Sequence, residues 1–113
     1  MDSEKPIPEE PDPQKMFKRL QRMQFMSLEL QAKMEDMEVE GDSGDGLVKV
    51  VMNCAGKVLN LDMHESVKGW DNEIVGNLVM TALNNAIDAK EEAIRVETMR
   101  MAKERNLDDD KFE

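Results

Sequence analysis

Apolar residues fall at Met16, Leu20, Met23, Leu30, Met34 and Met37, in steps of four and three, with Ser27 standing in the one gap. That spacing lines them along one side of a helix over residues 14–38, a heptad seam of the kind that packs against another helix. No glycine or proline interrupts it, and Pro13 stands just ahead, where a proline is tolerated. The period then changes to two. In Leu47–Met52, Val48, Val50 and Met52 share one face and Leu47, Lys49 and Val51 the other. In Val58–Met63, Leu59, Leu61 and Met63 alternate with Asn60 and Asp62. Gly41, Gly44 and Gly46 mark a turn before these strands, Asn53–Gly56 a second turn between them, and a short strand from Met37 to Gly41 precedes the first.

After a connector over 64–70, Asp71 is placed to cap a second helix. Its stripe is broad: Ile74, Val75, Leu78, Val79, Ala82, Leu83, Ala86 and Ile87. The pattern thins through Ile94, Val96, Met99 and Met101, as a helix leaving the core would show, and ends at Asn106 and Asp108–Asp110. The order is helix, small antiparallel meander, helix, an α+β protomer. So small a sheet has one face to bury. Helices longer than the sheet project beyond it, and a second copy of the chain is the simplest cover for their seams.

Length and composition narrow the class. The 113 residues suit one domain, flanked by an acidic Pro-rich tail at 1–13, read as extended and disordered, and an acidic C-terminal tail at 106–113. No apolar run approaches the roughly 20 residues that span a bilayer. The first twenty residues, acidic and Pro-rich, are no secretory signal, and the single cysteine, Cys54, fits a reducing cytoplasm.

The net charge of -10 opposes a polyanionic partner until it is divided along the chain. Residues 1–13 carry -4 and residues 35–45 carry -6, but residues 14–34 carry +4. Lys15, Arg19 and Arg22 repeat the four-and-three spacing, with Lys18 adjacent, and form the best candidate site. The acids of the N-terminal tail are tethered beside this stripe and would compete there with phosphate. The second helix adds Arg95, Arg100, Lys103 and Arg105, mixed with Glu97 and Glu104.

Signs of catalysis are poor. His64 is the only histidine and reads as a solvated loop residue, and Cys54 reads as an incidental thiol. No second cysteine or histidine completes a zinc site, so no metal or cofactor is expected. Asp42 and Asp45 among glycines fail the calcium-loop spacing and read as a hairpin turn. The eleven methionines read as core and dimer packing, and Trp70 as a packing anchor.

The stretch Gly41-Asp42-Ser43-Gly44-Asp45-Gly46-Leu47-Val48-Lys49-Val50 resembles the central signature of the YbaB/EbfC family. The Met- and Gln-rich first helix around Gln21-Arg22-Met23-Gln24 is similar too, as is Leu78–Ala86 of the second. The resemblance covers roughly residues 14–104. Asn53-Cys54 stands where the family often has Asn-Gly, and Met63-His64-Glu65-Ser66 where it often has a Pro-Ser step. The resemblance implies an α-β-β-β-α protomer, a homodimer whose helices project like tweezers, and binding to double-stranded DNA by both helices. It implies effects on nucleoid organisation and gene expression, and a place in the cytoplasm at the nucleoid. Carried over, the DNA-binding positions are Lys15, Lys18, Arg19 and Arg22, then Arg95, Arg100 and Lys103. The other reading of an acidic dimer with Met-rich helices is a protein-interaction module with no meaningful affinity for DNA.

The seam from Met16 to Met37 would be wet in a monomer, so the chain is expected to sediment as a dimer. A stable monomer at micromolar concentration in sedimentation velocity would refute this.

Overall fold

The computed structural model describes residues 12–104. Helix α1 spans Pro13–Met34, strands β1, β2 and β3 span Glu38–Asp42, Val48–Asn53 and Val58–Met63, and helix α2 spans Asn72–Glu104. A single 3-10 turn, Glu65–Val67, links β3 to α2. The strands form an antiparallel meander in the order β1-β2-β3, so the protomer is α-β-β-β-α as expected. The tails expected at 1–13 and 106–113 lie outside the described residues, save Asp12 and Pro13. Pro13 is the first residue of α1, and the Asp12 carboxylate caps it by accepting from the Gln14 N–H at 3.0 Å.

α1 ends at Met34, short of the residue 38 that its periodicity predicts. The reason lies in the end of β2. The Asn53 side chain, 6% exposed, donates to the Glu35 carbonyl at 3.3 Å, and the Cys54 N–H donates to the Met37 carbonyl at 2.8 Å. These bonds turn residues 35–37 away from the helical path and into β1. Asn53 is itself satisfied, its oxygen accepting from the Ala55 and Lys57 N–H groups at 3.1 and 2.9 Å.

β2 is the centre of the sheet. Its predicted inner face is correct: Val48, Val50 and Met52 are buried against Ala82 and Ala86 of α2, with Val39, Leu78, Val79 and Leu83 packed around them. Each such side chain removed from water stabilises the fold by about 2 kcal/mol. β3 pairs with β2 through Met63↔Val48, Leu61↔Val50 and Val58↔Met52, with an irregularity between Val51 and Met52. It is an edge strand, and Val58, Leu59, Leu61 and Met63 are all exposed. Trp70 is not the packing anchor the sequence suggests. It stands 42% exposed after Gly69, just outside the core.

Of the two readings of Gly41, as the end of a short strand and as the first glycine of the turn, the strand is the correct one. Gly41 lies within β1, directly beneath α2. A Cβ there would sit 2.2 Å from the Ala86 nitrogen and 2.3 Å from the Ala82 carbonyl oxygen. The turn proper begins at Ser43. The Asp42 carboxylate accepts from the Gly44 and Gly46 N–H groups at 2.8 and 3.1 Å, and Asp45 accepts from the Leu47 N–H at 3.1 Å and from the Ser43 hydroxyl. The Ser43 contact, with the Leu47 N–H next, holds the Asp45 carboxyl below its ordinary range. These carboxylates thus organise the hairpin.

Two glycines give opposite expectations. Gly41→Ala forces side chain into backbone and should cost about 3 kcal/mol. Gly76→Ala lies in α2, where a Cβ meets nothing within 4 Å, and should stabilise by about 0.5–1 kcal/mol. Urea unfolding midpoints of the two variants check both signs.

Candidate nucleic-acid interface

None of the residues of α1 is fully buried, and its ion pair with α2, Lys33–Glu97, lies near its C-terminal end. Leu30, Met34 and, just past the helix, Met37 are half-buried, as is Met26 beside them, whereas Met16, Leu20 and Met23 are about half exposed. The predicted seam is therefore divided: its second half is covered within the protomer, and its first half is not. The molecule is drawn out to 81 × 29 × 17 Å, and α2 alone accounts for about 50 Å of helix.

The first-helix cations sit on this projecting part. Lys15, Lys18, Arg19 and Arg22 are exposed, within about two turns of one another. Lys15, Arg19 and Arg22 lie on one stripe, as their spacing predicts, and that stripe continues through Met26 and Glu29 to Lys33. Phe17 and Phe25 flank the cations, 62% and 68% exposed.

The second-helix cations have a different setting. Arg95 binds both carboxylate oxygens of Glu92, one helical turn earlier, at 2.7 and 2.6 Å. Arg100 donates to Glu97 and, at 2.6 Å, to Glu104. Glu97 also receives the Lys33 ammonium of α1 at 2.6 Å, while its own side chain is only 14% exposed. Lys103 is exposed in the last turn. The structure thus brings Lys15, Lys18, Arg19 and Arg22 together, and places Arg95 and Arg100 among acids of their own helix. For the latter two, a phosphate contact requires an exchange of partner.

Sequence reasoning missed the link between the helices, Lys33–Glu97–Arg100–Glu104. The half of it within α2 was legible, since Glu97 and Glu104 stand three before and four after Arg100. The Lys33–Glu97 pair joins residues 64 apart and leaves no local mark. Arg100, and then Lys33, hold the Glu97 carboxyl down to about 2 from 4.5.

Other titratable groups are quieter. His64 caps the 3-10 turn by accepting from the Ser66 N–H at 3.0 Å, and Cys54 is buried, which raises its thiol pKa. No cluster of three or more His, Cys, Asp or Glu that could hold a metal occurs among the described residues.

A depressed carboxylate contributes stability above its unfolded pKa and loses it as pH falls through the folded one. The Glu97 pairs should therefore act in full above about pH 4.5 and fade toward about pH 2. Glu97→Gln should lower stability at neutral pH by about 0.5–1 kcal/mol, modest because both cationic partners are half exposed. Urea melts of the two proteins should converge near pH 2; a gap that persists there would assign the loss to packing instead.

Comparison with known proteins places this geometry among relatives. The profile of the YbaB/EbfC DNA-binding family matches residues 10–105. A nucleoid-associated protein of Neisseria meningitidis serogroup C is 36% identical over 80 residues, 68% of this chain and 72% of that protein. A nucleoid-associated protein of Francisella tularensis is 34% identical over 99 residues, 86% of this chain and 88% of its own length. Among solved structures, an uncharacterized protein from Helicobacter pylori aligns with a TM-score of 0.67 at 27% identity, covering 81% of this chain and 98% of the other.

Proposed function

The chain belongs to the YbaB/EbfC DNA-binding family, and we propose that it acts as a nucleoid-associated protein, a homodimer that grips double-stranded DNA with the cations of its projecting first helices. The observation that carries this reading is the cluster Lys15, Lys18, Arg19 and Arg22, exposed on a helix that stands clear of the sheet. Long flexible cations on a smooth helix meet phosphates rather than base edges, so binding is phosphate-led and tolerant of sequence. Nothing in this action calls for catalysis; the protein works by binding. Its place is the cytoplasm, at the nucleoid, and the nucleoid-associated relatives support that placement. No helix among the described residues is long and apolar enough to cross a membrane.

Two apolar surfaces support the homodimer. The edge strand β3 offers Val58, Leu59, Leu61 and Met63, and α1 offers Met16, Leu20 and Met23. An unpaired edge with apolar side chains favours a second sheet or helix face over water. Pairing would set two α1 stripes in one particle, doubling the cations available to one duplex. The family match favours DNA over a protein-interaction module as the use of these helices.

Each phosphate neutralised contributes about -0.9 to the slope of log affinity against log salt. Four first-helix cations per protomer give a dimer slope no steeper than roughly -7 if α1 alone engages. Replacing Arg19 and Arg22 by Ala should flatten it by as much as about 3–4, equally on unrelated duplexes, with the dimer intact. Fluorescence anisotropy at several salt concentrations reads the slope. An unchanged affinity in an intact dimer would take this stripe out of the interface, and a loss on one sequence alone would mean base readout.

A further inference from the structure

Where the two helices meet they run antiparallel. Lys33, near the end of α1, holds Glu97, while Arg22, further back on α1, shares a cleft with Glu104, further on in α2. Glu29 and Lys33 likewise line a cleft with Arg100, Met101 and Glu104. Arg22, Glu29 and Lys33, which line these clefts, fall with the half-buried Met26 on one stripe, Arg22–Met26–Glu29–Lys33. The same stripe runs back through Arg19 to Lys15, about two turns beyond the point that Glu104 reaches. Beyond Glu104 the chain turns acidic: residues 106–113 carry Asp108, Asp109, Asp110 and Glu113 against Lys111, a net of -3.

We propose that residues 106–113 dock on the stripe Lys15, Lys18, Arg19 and Arg22 when DNA is absent, and compete with phosphate for it. Reach is sufficient. Arg22 lines one cleft with Glu104, Lys15 is about 10 Å further along α1, and nine residues of chain extend to about 30 Å. Direction is favourable too, because from Glu97 to Glu104 the axis of α2 runs along α1 from Lys33 toward Arg22, and so points to the Lys15 end. Tethering holds the acids near the cations at a millimolar effective concentration, as an internal counterion that only a denser polyanion displaces. The competition rests on the DNA-binding reading above; the docking does not.

The test joins a DNA-free readout to a DNA titration, on the full chain and on a variant carrying Asp108→Asn, Asp109→Asn and Asp110→Asn. A nearby carboxylate keeps a lysine protonated and slow to acylate. At low salt, Lys15 and Lys18 should acylate roughly threefold faster in the variant, by mass spectrometry, with exposed Lys57 unchanged and the difference lost in high salt. DNA affinity should rise roughly fivefold at low salt on each of two unrelated duplexes. Equal reactivity of Lys15 and Lys18 in the two proteins overturns the docking, whatever the DNA does. Faster lysines with unchanged DNA affinity overturn the competition. If neither protein binds DNA at all, the DNA reading falls and the competition with it, while the lysine contrast still decides the docking.

Discussion

The backbone of α2 lies directly on the backbone of β1, and the rest of the structure is arranged around that contact. It exists because three small residues coincide: Gly41 on the strand, and Ala82 and Ala86 on the helix, both fully buried. Close approach brings the neighbouring groups into range. The Asn85 side chain donates to the Asp42 carbonyl at 2.7 Å, and Leu78, Val79 and Leu83 settle over Val48, Val50 and Met52. One face of a three-stranded sheet is thereby used up by a single helix. The first helix has no seat on the sheet and must leave it, held to α2 by charge and a few half-buried methionine and leucine side chains. The projecting arm is a consequence of a core that has room for one helix.

Much of this was legible in the amino-acid order. Strict alternation at Val48, Val50 and Met52 gave the inner face of β2, and the stripe from Ile74 to Ile87 gave the covering helix, because both periods reflect the residue's own neighbours along the chain. What was illegible depended on partners far away. Gly41 could be placed at the end of a strand or the start of a run of turn glycines, but only the passage of α2 over it shows that it is a contact point. α1 has a helical pattern through residue 38, yet Asn53 and Cys54 claim the backbone of residues 35–37 for the sheet. Trp70, large and apolar, suggested an anchor, but it stands 42% exposed while Val67, three residues earlier, is the buried side chain of the connector.

The candidate interface divides in the same way. The spacing of Lys15, Arg19 and Arg22 is a local fact, and the helix presents them as that spacing requires. The cations of α2 could be counted but not weighed. Arg95 and Arg100 each lie a turn from an acid, and the structure shows those acids engaged. Glu97 in turn reaches across to Lys33, so the charges that looked like one half of a grip include those that hold the two helices together. Positive residues in a helix can face a partner molecule or their own fold, and the choice is made by what lies opposite.

The stripe on α1 has a bearing on how the chain can vary in length. Cations at its start and contacts with α2 at its end belong to one line of four-and-three steps. Each added residue turns a helix by about 100°. A one-residue insertion between Arg22 and Met26 would leave every contact with α2 beyond it in place and swing the cations to another side of the arm. Seven residues would bring them back within about 20°, a little over 10 Å further out. The arm can therefore lengthen only by near-whole numbers of turns, such as about seven, eleven or eighteen residues, if it is to keep aiming its charge the same way, a rule of phase set by the helix and indifferent to which side chains fill the added turns.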